Sequence, residues 1–123
     1  MKVVRLKNCP QFIAGDKSEL REILNPQKEK LKLNYSLAYA MVRPGKKTLR
    51  HRLKYTEVYF IIKGRGIMHI NKNKEKVNAG DTIYIPPGSV QYIENFSHNS
   101  LEFICIVEPA WKPECEEVLE ENG

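Results

Sequence analysis

Gly45-Lys46-Lys47-Thr48-Leu49-Arg50-His51-Arg52-Leu53-Lys54-Tyr55-Thr56-Glu57 continues through Val58-Tyr59-Phe60-Ile61-Ile62-Lys63 to Gly64. A second run, Gly80-Asp81-Thr82-Ile83-Tyr84-Ile85-Pro86-Pro87-Gly88-Ser89-Val90-Gln91, continues to Asn95. Each run opens on a glycine, places polar donors beside aromatic and β-branched residues, and closes on a turn residue. Successive side chains of a strand point to opposite faces. His51 and Leu53 therefore share one face, as do Glu57, Tyr59 and Ile61 on the next strand, and Gln91 with Ile93 on a later one. The link Lys54-Tyr55-Thr56 turns the chain so that His51 and Glu57 can converge.

Outward from this stretch the texture stays β-type. Candidate strands are Leu33–Val42, Thr48–Leu53, Glu57–Lys63, Gly66–Ile70, Glu75–Val77, Thr82–Ile85, Gln91–Glu94 and Leu101–Val107. Pro44-Gly45, Lys63-Gly64, Asn71-Lys72-Asn73, Ala79-Gly80, Pro86-Pro87-Gly88 and Ser97-His98-Asn99 punctuate them. Many short strands with Gly, Pro and Asn at the joints indicate an all-β sandwich or barrel. The lead-in differs: Asp16-Lys17-Ser18-Glu19 reads as a capping box. It predicts a short helix through Leu20, Ile23 and Leu24 that stops before Pro26, because the residue preceding proline avoids the helical region.

At 123 residues the chain predicts one domain, 1–123, with a barrel core over about 32–107, a lead-in over 1–31 and an extended tail over 108–123. No apolar run approaches the roughly 18 residues needed to cross a bilayer, so no membrane association is expected. The charged start, Met1-Lys2-Val3-Val4-Arg5-Leu6-Lys7-Asn8, lacks the apolar core of a signal peptide. A cytoplasmic location is expected. Cys9, Cys105 and Cys115 are odd in number and widely spaced, which argues against a disulfide framework or a zinc knuckle. Cys105 lies in an apolar run and reads as a buried, inert thiol. The net charge of +5 is spread over turn lysines without aromatic interleaving, so it indicates a solvated surface rather than a nucleic-acid partner. There is no nucleophile elbow, P-loop or GxGxxG.

The two quoted runs resemble the paired motifs of the cupin superfamily, G-x5-H-x-H-x3/4-E-x6-G followed by G-x5-P-x-G-x2-H-x3-N. The resemblance covers about two-fifths of the chain; the glycines, proline, asparagine, first histidine and glutamate fall in register. It implies a cupin-type double-stranded β-helix, a jelly-roll barrel whose inward faces carry metal donors. Double-sheet jelly rolls are one way of managing sheet edges. Carried over position by position, the surviving donors are His51, Glu57 and Gln91; Leu53 stands where the second histidine belongs and Gln91 where the third does. The resemblance further implies a divalent metal (Mn, Fe, Ni or Zn), a small organic or sugar-like ligand, and dioxygenase, isomerase or cyclase chemistry. It also implies a homodimer, with Trp111 packed outside the barrel or across the dimer contact.

The residues themselves leave three functional readings open: a metal-holding enzyme, a metal-free binder, and a purely structural or assembly role. Catalytic zinc commonly takes three protein ligands, and iron oxygenases two histidines and a carboxylate; here one imidazole, one carboxylate and one neutral amide remain. In the first reading they hold an ion. In the second, the barrel binds a small molecule without metal and without catalysis; a polar set facing an apolar interior still requires partners. Leu53, Tyr59, Ile61 and Phe103 are candidate ligand-contacting walls, each equally readable as plain core. His69 and His98 read as surface histidines, and no catalytic residue is named by any motif.

Overall fold

Along Thr56–Lys63 and Leu101–Glu108, alternate residues are buried: Glu57, Tyr59 and Ile61 on the first, and Leu101, Phe103, Cys105 and Val107 on the second. Alternating burial on two paired strands gives a layered β structure, and the computed structural model, which describes residues 1–120, has that form. Eleven strands follow one another: β1 (Gln11–Ile13), β2 (Glu19–Leu24), β3 (Ser36–Val42), β4 (His51–Leu53), β5 (Thr56–Lys63), β6 (Arg65–Ile70), β7 (Asn73–Asn78), β8 (Thr82–Ile85), β9 (Gln91–Glu94), β10 (Leu101–Glu108) and β11 (Glu116–Val118). They form a six-stranded sheet in the order β1-β2-β3-β10-β5-β8 and a five-stranded sheet in the order β11-β4-β9-β6-β7. All pairings are antiparallel. The two sheets face each other across a core of Ala40, Tyr59, Ile61, Met68, Ile93 and Phe103 with their neighbours.

The motif residues that carry no donor hold the turns. Gly64 has φ +86°, and a Cβ there would lie 2.4 Å from the Ser100 carbonyl oxygen, so only glycine fits. Gly88, at φ +79°, donates its N–H to Leu53 O at 2.7 Å and so ties the Pro86-Pro87-Gly88 turn to the end of β4. Asn95 is 1% exposed. Its side-chain amide donates to the carbonyls of Val42 and Asn99, while its Oδ1 accepts from the Ser97 N–H and hydroxyl. It is a four-bond staple between segments, which accounts for an asparagine at that position without any chemistry.

Two expectations are corrected. The segment through Leu20, Ile23 and Leu24 is not a helix; it is strand β2, paired with β1 and β3. Asp16 does accept from a backbone N–H two residues on, Ser18, at 3.0 Å. That bond belongs to the β1–β2 turn, with Lys17 at φ 74°, because the same side-chain reach serves an Asx turn as well as a cap. Helical backbone among the described residues is limited to 3-10 turns at Leu6–Asn8 and Pro113–Cys115. The tail does not simply leave the barrel either. It returns through Pro113–Cys115 and adds β11 beside β4, with Val118 opposite His51 and Glu116 opposite Leu53. Residues 121–123 of the expected tail lie outside the described residues.

Candidate functional site: a closed-ended cup between the sheets

Four segments meet at one end of the barrel interior. The β1–β2 turn brings Asp16, β4 brings His51 and Leu53, β5 brings Glu57 and Tyr59, and the returning tail brings Trp111 and Glu116. Together with Phe103 and Cys105 of β10, they line a cavity of about 150 Å³. A cavity of this order is large enough for one benzene-sized molecule, roughly 150 Å³ in the best-studied engineered case.

Gln91, opposite His51 on neighbouring strands, is 1% exposed and sits behind the cavity wall. Its Nε2 donates to Glu57 Oε1 at 3.0 Å, and its Oε1 accepts the Tyr59 hydroxyl at 3.1 Å. The chain Tyr59–Gln91–Glu57 is therefore a directed relay of hydrogen bonds between inward-facing residues of β5 and β9. Gln91 Nε2 is the one hydrogen-bond donor found on the Glu57 carboxyl among the described residues. Burial pushes that carboxyl up from 4.5 to about 8; the Gln91 hydrogen bond opposes the rise, and the charges of Asp16 and Glu116 add to it. Burial likewise holds the Tyr59 hydroxyl and the Cys105 thiol well above their ordinary values. At neutral pH this wall of the cup is a neutral carboxylic acid, a phenol and a thiol.

His51 is 2% exposed. Its Nδ1 lies 2.7 Å from Leu49 O; a carbonyl oxygen can only accept, so Nδ1 carries the hydrogen. The remaining nitrogen, Nε2, has Asp16 Oδ2 at 3.6 Å, beyond hydrogen-bond reach. Asp16 itself is held by Ser18, whose N–H and hydroxyl both reach Oδ1, at 3.0 and 2.7 Å. On the opposite lip, Trp111 Nε1 donates to Glu116 Oε1 at 2.9 Å. Burial raises the Glu116 carboxyl, partly offset by that Trp111 bond, while Asp16 raises it and His51 lowers it. At the rim, Lys28 pairs with Glu22 at 2.9 Å and lies 5.9 Å from the centre of the Trp111 ring.

The sequence-derived residues separate accordingly. His51, Leu53, Glu57, Tyr59 and Phe103 line the cavity; Gln91 supports Glu57 from behind; Ile61, fully buried, lies in the main core. Leu53 packs with Val107 and Cys115 in a small apolar cluster flanked by Tyr55 and Trp111. Trp111, expected on the outer surface or in a dimer contact, is instead part of the cup wall. The reason is its backbone: Trp111 N–H bonds Ser36 Oγ, and Trp111 O accepts from buried Asn25. His69 stacks on Tyr92 and bonds Glu94 away from the cup, and His98 is exposed in a turn. Asp16, Trp111 and Glu116 were not identified as site residues from the sequence.

The donor set does not fit a divalent ion of the kind expected. Leu53 offers hydrocarbon, and the carboxamide oxygen of Gln91 is committed to Tyr59. Among the described residues no group of three or more His, Cys, Asp and Glu side chains is disposed to hold a metal.

A family of barrels with this strand order and these motifs matches directly: the model of the Cupin domain family covers residues 38–107. The chain is a cupin. Over almost its full length this cupin is 40% identical to an uncharacterized protein of Methanocaldococcus jannaschii, across 124 residues and 98% of each chain. It is 33% identical to an oxalate-binding protein of Thermotoga maritima over 51 residues, 42% of each chain. Among solved structures, the polyketide cyclase RemF from Streptomyces resistomycificus superimposes with a TM-score of 0.80 at 16% identity, covering 99% of this cupin and 88% of that chain. At that identity the likeness speaks to fold alone. No helix among the described residues is long and apolar enough to cross a membrane.

Proposed function

We propose that this cupin binds a small organic molecule in the cup between its sheets, and that it does so without a metal ion. The observation that carries the reading is the fate of the two altered donor positions. Leu53 has joined an apolar cluster, and Gln91 is held in the Tyr59–Gln91–Glu57 relay, its oxygen accepting from Tyr59 and its N–H bonding Glu57. The remaining walls are aromatic and aliphatic with a few convergent polar groups, the usual make-up of a small-molecule site. A relative named for an oxalate ligand is in keeping with a small organic ligand in this barrel.

A second reading, proton-transfer catalysis, is favoured by Glu57. A carboxyl that titrates near 8 at a cavity wall suits general acid or base work near neutral pH. Metal-dependent chemistry, the expectation from the family donor set, is the competing reading. The test is ligand-observed NMR against a fragment set, with the protein kept in excess EDTA. Saturable binding that broadens on Phe103→Ala but survives chelation supports the proposal. Binding that appears only after Mn²⁺, Fe²⁺, Ni²⁺ or Zn²⁺ is added contradicts it.

A homodimer is the assembly we propose. The outward face of the six-stranded sheet carries Val58, Phe60 and Ile62 on β5, flanked by Ile104 and Ile106 on β10 and Tyr84 on β8. Phe60 and Ile62 are each 42% exposed, and Tyr84 is 62% exposed. A contiguous apolar patch on one sheet face suits a self-complementary two-fold contact with a second copy.

A further inference from the structure

Four carboxyl groups reach the cavity, from Asp16, Glu22, Glu57 and Glu116, against one ammonium, that of Lys28. Lys28 is spoken for: it pairs with Glu22 at 2.9 Å. No arginine among the described residues lines the cup. Among the described residues, a carboxylate or phosphate entering it would find no unpaired Lys or Arg and would face Asp16 and Glu116, beside a Glu57 carboxyl that burial keeps neutral.

A second observation is independent of that charge count. His51 is almost wholly buried and lies on the cavity wall. Its Nδ1–H is fixed on Leu49 O, and in the neutral ring Nε2 is an acceptor. No donor among the described residues reaches Nε2; what faces it, 3.6 Å away, is another acceptor, Asp16 Oδ2. Nε2 and Asp16 Oδ2 thus stand side by side on the cavity wall, where a hydrogen-bond donor from outside the protein can reach both. The flat apolar part of the lining is Tyr59 and Phe103, with ring centroids 4.5 Å apart, together with Trp111. Aromatic faces favour cations as well as hydrocarbon.

We infer that the cup selects a small organic cation: a primary or secondary ammonium on a flat apolar body about the size of a single ring. The ammonium N–H groups lie towards His51 Nε2, Asp16 Oδ2 and Glu116, and the apolar body lies against Tyr59, Phe103 and Trp111. This rests on the metal-free binding reading above and sets its ligand class. It also separates this chain from its relative named for oxalate, a dianion.

The test uses three probes of matched shape on the full-length, EDTA-treated protein: benzylammonium, benzyl alcohol and benzoate, titrated by calorimetry at neutral pH and low salt. Benzylammonium is expected to bind tightest. Asp16→Asn and Glu116→Gln are expected to weaken it by roughly tenfold each and to weaken the uncharged benzyl alcohol far less. Both variants keep the acceptor oxygen that Ser18 and Trp111 use, so the fold is retained. His51→Phe, which removes the acceptor but fills the space, provides an independent check and is expected to weaken benzylammonium selectively. If benzoate or benzyl alcohol binds as tightly as benzylammonium, or the variants weaken all three probes alike, the ligand class is wrong while the metal-free cup stands. If no probe binds until a metal is added, both fail.

Discussion

Replacing Glu57 with Gln isolates the cost of ionising a buried carboxyl in the barrel. The buried carboxyl titrates at about 8 in the folded chain against 4.5 ordinarily. A raised acid favours the folded state fully only below the lower value, and the advantage is lost as pH rises towards the higher one, because the unfolded chain releases its proton first. Over that interval the slope is about 1.4 kcal/mol per pH unit. The whole span therefore amounts to roughly 5 kcal/mol, a large part of the roughly 5–15 kcal/mol that stabilises a domain. Glutamine keeps an oxygen for Gln91 Nε2 to reach and cannot ionise. The stability of Glu57→Gln minus that of the parent should thus grow steadily from about pH 4.5 to about 8 and then level off. Denaturant unfolding at closely spaced pH values and constant ionic strength measures it, and the subtraction removes titrations common to both proteins. A difference that stays flat across the interval, or shrinks as pH rises, refutes the argument that Glu57 is neutral and buried.

Tyr59→Phe removes the donor to Gln91 Oε1 and leaves a buried acceptor unpaired, so the denaturation midpoint should fall by the equivalent of about 1–3 kcal/mol; an unchanged midpoint would show that the relay is not formed. Restoring both family donors in Leu53→His/Gln91→His should yield a protein that retains stoichiometric transition metal through dialysis, whereas Leu53→His alone should not, as read by elemental analysis. Phe60→Glu places a charge in the apolar patch of the six-stranded sheet and should convert a dimer to a monomer by light scattering without lowering the melting temperature of the monomer. A parent protein that already runs as a monomer contradicts the assembly proposed here.

How far the sequence carried depends on how local each signal was. Gly64, Gly88 and Asn95 belong to short motifs whose backbone requirements are written within a few residues, and the strands between them, Thr82–Ile85 and Gln91–Glu94, matched to the residue. Strand β2 was misread because Leu20, Ile23 and Leu24 fit the spacing of one helical face and Asp16 fits a helix cap. What decides the matter is pairing on both sides, with β1 and β3, which no local pattern announces. Asp16, Trp111 and Glu116 are hidden from a local reading for the same reason. Trp111 is drawn inward by bonds to Ser36 and Asn25, far away in sequence. The acidic stretch after Pro113 looked like a solvated tail, yet Glu116 pairs opposite Leu53 and bonds Trp111. Gln91 was legible as a donor position, but its engagement by Tyr59 and Glu57 required the two strands to be set beside each other.

Metal content per chain, measured by mass spectrometry on untagged protein purified without chelator, bears most directly on the reading of Gln91 and Leu53. Far less than one equivalent of any transition metal, with unchanged probe binding after EDTA, is the result expected. One tightly held ion per chain, lost on His51→Ala together with ligand binding, would contradict it.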